Sequence, residues 1–519
     1  MPTQRPNILL IVLDTTRRDR LSLYGHPAPT TPHLDAFAEG ATRYDRAIAA
    51  AQWTVPSHAS MFTGLYPGVH GVTQSTSVIS GMHPTAAEIL RGTGYQTVAF
   101  CNNPLVGVLN NGLQRGFERF YNYASAAPFR PAEERRHPLV KAALRGFRRR
   151  LARPIGNQFS RSDALFRVAL NPALTPLWTR LIRFKGDTSG SADDLIDWWK
   201  AHRAGGADRP LFAFLNLMGA HLPYNPPQDA LRRVGPLPDS AQFRFIRRFN
   251  GDAAAWATPP AEHLPEWQRA ALDAFYDAEI HAQDSHLGRL FKWLHESGTL
   301  ANTLVIICAD HGEGHGDHGF FGHGFVTYQE LVHVPLVIHW PEGAGAGQVE
   351  AGNVSTRRIF HTLLAAAGVY RPPLDENDPN ADVGGLALSP PSVDANLTAG
   401  DEVRVYSEAY PPSIFLGVIE HRNASLIARL ALGQPRRALY QGDHKLVTVG
   451  DQTEGLFYLP DDPAEVVNRA GDEPERIAGL QRDLQAFVVS HTARRPESAT
   501  FTLDDSGTLD HLRALGYIE

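Results

Sequence analysis

A hydroxyl, two carboxylates and a run of histidines are the residues of this sequence best suited to chemistry. Thr54 lies in the stretch Gln-Trp-Thr-Val-Pro-Ser-His-Ala-Ser-Met-Phe-Thr-Gly, residues 52–64, which reads as a loop turning into a short helix. Pro56 suits the first turn, where a missing N–H costs nothing, and Gly64 suits the left-handed position just past the helix end. Thr54 is then expected beside the helix N-terminus, where free N–H groups and the helix dipole favour an anion. A hydroxyl placed there can attack a sulfate or phosphate ester once a metal lowers its pKa. An ordinary capped surface helix fits the same residues.

The second cluster runs Asp-His-Gly-Glu-Gly-His-Gly-Asp-His-Gly-Phe-Phe-Gly-His-Gly from Asp310 to Gly324. Carboxylate and imidazole together suit Zn²⁺ or Mn²⁺, and the glycines permit close approach of backbone and ligand. Asp14 closes an apolar run, just as Asp310 does. Asp14, Asp310 and His311 are expected to supply three metal ligands, leaving a fourth position for the Thr54 hydroxyl or a substrate oxygen, the open coordination of a catalytic metal. Capping of the next loop for Asp14, and simple solvation for the His-rich loop, are the plainer roles.

The elements that must position these groups read as an α/β alternation. Residues 7–13 are continuously apolar, as a parallel strand buried on both faces requires, and such strands present chemistry at their C-terminal ends. Thr31–Pro32 opens a helix with Leu34, Phe37, Ala38 and Ala41 on one face. A helix over 84–91, a Gly92/Gly94 break and a strand over 95–100 follow. An apolar strand over 210–217 leads to His221, placed where the fold puts its site although a structural role also fits. Leu287, Leu290, Phe291 and Leu294 mark a further helix, and 303–308 a further strand ending at Asp310. This is the doubly wound pattern. A smaller C-terminal unit is expected from residue 395, with strands over 403–408 and 445–449 and a helix over 475–488. Glu408 and Lys445 in it are expected to be solvent-exposed structural residues, with reach towards a substrate pocket as the alternative.

The 519 residues carry a net charge of −6, which gives no electrostatic reason to expect nucleic acid. Two cysteines make no disulfide framework. The first apolar run is too short for a signal-peptide core or a membrane span, so a cytoplasmic protein is expected. Between Arg130 and Lys185 there are 14 Lys/Arg against three Asp/Glu, which reads as a basic insertion over about 128–185. A helix near Leu139–Leu151 in it suits an anionic membrane surface, a lid over an anionic substrate, or plain solvation.

Together these segments resemble the sulfatase family of the alkaline phosphatase superfamily. The resemblance runs through 7–14, Thr31–Pro32–His33–Leu34–Asp35, the Thr54–Gly64 loop, Leu65–Tyr66–Pro67 with His70–Gly71, and His221–Leu222–Pro223–Tyr224. It continues through Asp310–His311–Gly312, His333–Val334–Pro335–Leu336, Gly442–Asp443–His444–Lys445–Leu446, Leu456–Phe457–Tyr458–Leu459 and Leu515–Gly516–Tyr517. It implies a three-layer α/β/α sandwich with a mostly parallel sheet over 1–394 and an α+β subdomain over 395–519. The family's signature starts with Cys or Ser, converted to formylglycine, and has Arg after Pro-Ser; here those positions hold Thr54 and His58, so no formylglycine is expected. Thr15 replaces a second metal carboxylate, His311 an Asn, and His323 a lysine. The family's Gly-Lys-Trp-His segment has no counterpart near Ala99–Gly107. A threonine nucleophile with an Asp–His metal pair is similar instead to phosphoethanolamine and phosphoglycerol transferases and phosphodiesterases. Leu217, where two-metal relatives carry Asp, implies a single divalent ion, and the carboxylate and imidazole donors make Zn or Mn expected rather than Ca.

The expected reaction is two-step displacement at phosphorus in a small anionic ester, with Thr54 as nucleophile. His221 and His323 bind the equatorial oxygens or protonate the leaving group, and His58 adds a donor to the anion. Sulfate-ester hydrolysis, phosphotransfer to an alcohol, and a non-catalytic anion-binding relative are the rivals.

Overall fold

The computed structural model describes residues 5–124, 128–134, 184–206, 209–260, 262–369, 386–390 and 404–496. Its centre is an eight-stranded sheet. The strands are β1 (Asn7–Leu13), β2 (Thr42–Ile48), β3 (Gln96–Cys101), β4 (Arg119–Asn122), β5 (Leu211–Leu217), β6 (Thr303–Cys308), β9 (His333–His339) and β10 (Val349–Ser355). The intervening β7 (Gly314–His315) and β8 (Phe321–Gly322) form a separate two-stranded hairpin. The order across the large sheet is β10-β2-β9-β6-β1-β5-β3-β4, and only β9 runs against the rest.

β1 sits in the middle of this sheet, which explains its unbroken apolar sequence. Ile8, Leu10 and Val12 enter the core on one face, while Leu9, Ile11 and Leu13 enter the core on the other. The first face is covered by helix α2 (Thr54–Thr63), which contributes Val55, Ala59, Met61 and Phe62. The second is covered by the helix Glu266–Glu296, through Leu287, Leu290 and Leu294 among others. These are the three expected layers, with both faces of the sheet closed by apolar side chains.

The remaining expected elements form close to their predicted bounds. Helix α1 spans Pro32–Ala38, and the helix Ala86–Gly92 starts behind Thr85, which forms a capping box with Glu88. In the C-terminal unit, β11 (Arg404–Ala409), β12 (Arg436–Gln441), β13 (His444–Val449) and β14 (Gln452–Tyr458) make an antiparallel sheet, with the helix Pro474–Thr492 behind it. That unit is tied to the segments flanking α2. Leu439, Leu446, Leu456, Leu484 and Phe487 share a core with Ala50 and Tyr66, and Glu408 N–H donates to Ala50 O at 3.0 Å. The basic helix expected near Leu139–Leu151, the boundary near 394 and the Leu515–Gly516–Tyr517 tail lie outside the described residues. Among the described residues no helix is long and apolar enough to cross a membrane.

Candidate active site

The parallel register of the sheet brings the two carboxylates together. Val12 pairs with Cys308 on one side and Asn216 on the other, so the ends of β6, β1 and β5 lie abreast. Asp14 and Asp310–His311 are the first polar groups beyond those ends. All three are fully buried, and their ligand atoms lie within 4.8 Å of one another. Thr15, directly after Asp14, adopts a left-handed φ of 56°, an uncommon conformation for a β-branched residue. It contributes a backbone N–H to Asp310 Oδ1 at 3.2 Å and turns its hydroxyl back onto Asp14 O at 2.7 Å.

The charge balance of this cluster is incomplete. Asp14 Oδ2 accepts from Asn103 Nδ2 at 2.6 Å and Asn216 Nδ2 at 3.4 Å, whereas Asp14 Oδ1 and Asp310 Oδ2 are buried without a hydrogen-bond partner. Burial, reinforced by the Asp310 charge, pushes the Asp14 carboxyl up to about 8. Burial likewise pushes Asp310 up to about 7, against the lowering effect of the Thr15 and His311 N–H groups. His311 Nδ1 donates to Gly312 O at 2.8 Å, which leaves a lone pair on Nε2. Two orphaned carboxylate oxygens and one imidazole nitrogen form a donor set suited to a divalent cation.

Thr54 is the first residue of α2, and Gly64 ends that helix with φ 75°. The Thr54 hydroxyl lies 3.3 Å from His311 Nε2, so it borders the same donor set. His58 is the residue expected to add a donor to a bound anion. It is fully buried one turn along α2, with Nδ1 on Thr54 O at 2.9 Å and Nε2 3.4 Å from Asn216 Nδ2. Burial pushes its pKa down to about 3, so it is a neutral buttress behind Asp310. The helical period places His58 on the same face of α2 as Thr54, and its two ring nitrogens are taken up there by Thr54 O and Asn216.

His221 and His323 do come to the cluster. The His323 ring centroid lies 4.5 Å from that of His311 and 5.3 Å from that of His221. His221 Nδ1 donates to Leu222 O at 2.6 Å, and His323 Nδ1 lies 2.9 Å from Glu313 Oε1. Burial pushes both imidazoles down to about 3. Phe415, delivered by the C-terminal unit, closes the far side of His323 at 6.2 Å between ring centroids.

Three neighbours of the site escaped the sequence reading. Asn103 follows the end of β3 and Asn216 interrupts an otherwise apolar strand, and both point to Asp14. A lone amide in a buried strand was the available signal. Glu313 stood in the His-rich run without a role of its own. Glu408 and Lys445, expected to be solvent-exposed, are buried instead. Glu408 accepts from Gly68 N–H at 2.7 Å and from the Tyr410 hydroxyl at 3.1 Å. Lys445 Nζ lies 2.6 Å from Glu465 Oε1 and donates to Thr327 O at 2.6 Å. A strand that packs one face on the core buries its inward charges, and these are paired there as burial demands.

The family model described as Sulfatase matches residues 6–369. An N-acetylglucosamine-6-O-sulfatase of Bacteroides thetaiotaomicron is 22% identical over 425 residues, covering 77% of this chain and 73% of that one. The multifunctional alkaline phosphatase superfamily protein PehA of Trinickia caryophylli is 26% identical over 418 residues, covering 71% and 75%. Among solved structures, the phosphonate monoester hydrolase of Agrobacterium radiobacter superposes with a TM-score of 0.61 at 22% identity, over 94% of this chain and 96% of that one.

Proposed function

This chain belongs to the sulfatase family of ester hydrolases, and we propose that within it the protein cleaves phosphate or phosphonate esters of small anionic substrates through Thr54. The observation that supports this reading is the placement of the Thr54 hydroxyl, 3.3 Å from His311 Nε2 and at the N-terminus of α2, beside two buried carboxylates short of partners. Threonine is not converted to formylglycine, so the unmodified hydroxyl is the nucleophile. The relatives named above include both a sulfatase and a phosphonate monoester hydrolase. The nucleophile type tips the choice towards phosphorus.

Asp14, Asp310 and His311 would hold one divalent ion, zinc or manganese by their mixed oxygen and nitrogen donors. Such an ion lowers the pKa of a hydroxyl and neutralises charge on the ester. The N-terminal N–H groups of α2 orient the anionic ester, and Thr54 attacks its phosphorus. The phosphoryl or phosphonyl group passes to Thr54 Oγ1 and its P–O bond to the leaving group breaks. The proton lost by the Thr54 hydroxyl is matched by the one the departing alcohol gains. His221 and His323 flank the ester and exchange protons with the leaving group and the incoming water. Water then releases the group from Thr54.

Parallel assays of metal-loaded protein on an aryl phosphodiester, a phosphonate monoester and an aryl sulfate test this reading. Phosphorus esters are expected to turn over faster, and Thr54→Ala to lower that rate by at least about 10³-fold. Sulfate turnover faster by orders of magnitude would overturn the substrate preference. Full activity of Thr54→Ala would remove the nucleophile.

A further inference from the structure

Three imidazoles line this site, and they are not held alike. His221 and His311 each rest Nδ1 on a backbone carbonyl, at 2.6 Å and 2.8 Å. A carbonyl can only accept, so both rings carry hydrogen on Nδ1 and a lone pair on Nε2. His323 has no such carbonyl. Its Nδ1 meets Glu313 Oε1 at 2.9 Å, and its Nε2 has no protein partner among the described residues.

The hairpin explains why these two residues meet across ten positions of sequence. Gly314 pairs with Gly322 and His315 with Phe321, so Glu313 and His323 are the next cross-strand neighbours beyond the last pair. The geometry leaves little slack. A Cβ at Gly314 would meet Phe320 O at 2.9 Å, one at Gly322 would meet Trp256 O at 2.3 Å, and Gly322 has φ 66°. Glu313 is itself fully buried, and its Oε2 has no hydrogen-bond partner. A buried carboxylate carrying one hydrogen bond, to one imidazole, is costly to retain for structure alone.

We propose that Glu313 is a positioning residue for His323, fixing its hydrogen on Nδ1 so that the Nε2 lone pair faces the reacting group as a hydrogen-bond acceptor. Its consequence for rate rests on the hydrolase reading above. A lysine at position 323 can only donate. The Glu313–His323 pair supplies an acceptor for the O–H of the incoming water or alcohol. This also divides the work between the two flanking histidines, since His323 alone depends on a removable side chain for its tautomer.

The tautomer can be read without any substrate. In ¹⁵N-histidine-labelled protein, stripped of metal or loaded with zinc and held at neutral pH, two-bond ¹H–¹⁵N correlations distinguish Nδ1–H from Nε2–H, and the His323 signals are identified by their loss in His323→Gln. Wild type is expected to show Nδ1–H. Glu313→Leu is expected to shift the population to Nε2–H, whereas Glu313→Gln, whose amide oxygen can still accept, keeps Nδ1–H. An Nε2–H form in wild type overturns the proposal without recourse to a variant, and so does an unchanged tautomer in Glu313→Leu. With zinc and bis(4-nitrophenyl) phosphate, Glu313→Leu is expected to lower kcat roughly 10- to 100-fold with KM little changed, and to cause no further loss in a His323→Gln background. An equal further loss in that background overturns the coupling. Absence of turnover on every ester, with the expected tautomers, refutes the hydrolase reading and leaves the Glu313 assignment standing.

Discussion

Removing the metal should expose the strain between Asp14 and Asp310 as a loss of stability that grows with pH. Both carboxyls are raised by burial in the folded chain, to about 8 and about 7, from an ordinary value of 3.8. A carboxyl raised on folding favours the folded state below its ordinary value, and that advantage is lost as pH rises through the folded value. The site histidines act in the opposite sense. His58, His221 and His323 are lowered to about 3 and His311 to about 4, so the stability they confer is present above 6.5 and lost as pH falls below it. Above pH 6.5 only the carboxylate effect operates at this site. At about 1.4 kcal/mol per unit, the Asp14–Asp310 pair should destabilise metal-free protein by on the order of 2 kcal/mol between pH 6.5 and 8. Asp284, pushed up to about 7 by burial, contributes in the same direction but far from the metal ligands. The informative quantity is therefore the difference between zinc-loaded and EDTA-treated protein in thermal unfolding at each pH. Zinc favours the ionised carboxylates, so this difference should widen from pH 6.5 to 8. Asp14→Asn should abolish the widening, and at pH 8 should make the metal-free protein more stable than wild type while removing its response to zinc. A metal effect that is flat or shrinks with rising pH, or that survives Asp14→Asn, would refute the assignment of these carboxylates as the cation site.

Asn103→Ala should weaken zinc binding by about 10- to 100-fold in calorimetric titration, because Asp14 Oδ2 loses the donor that orients it at 2.6 Å. Lys445→Met should cost about 3–5 kcal/mol in chemical unfolding, since it strands Glu465 in the interior; Lys445→Met with Glu465→Gln should recover a substantial part, which a purely steric defect would not allow.

Much of this protein was legible in its sequence because the signals were local. A strand buried on both faces must be almost wholly apolar, and β1, β6 and, Asn216 apart, β5 announced themselves that way. Each ended at the residues where polar groups could reappear, which is why Asp14 and Asp310 could be picked out as strand-end groups. The helix stop at Gly64 and the start of α2 at Thr54 follow from local backbone preferences. These features fixed the three-layer fold and the position of Thr54.

What tertiary structure alone decided was the direction of side chains and the identity of their partners. His58 shares the Thr54 face of α2, but its Nδ1 rests on Thr54 O and its Nε2 faces Asn216 Nδ2, so its contacts are to protein groups. Lys445 and Glu408 read as surface charges until the inner faces of their two strands, β13 and β11, were found packed and paired. Asn103, Asn216 and Glu313 became part of the site only when separate strand ends and the β7–β8 hairpin brought them to it. Local sequence determines where a chain can bury its backbone and where it must stop. Which polar groups then share one buried site depends on contacts between residues far apart in sequence, and no periodicity records them.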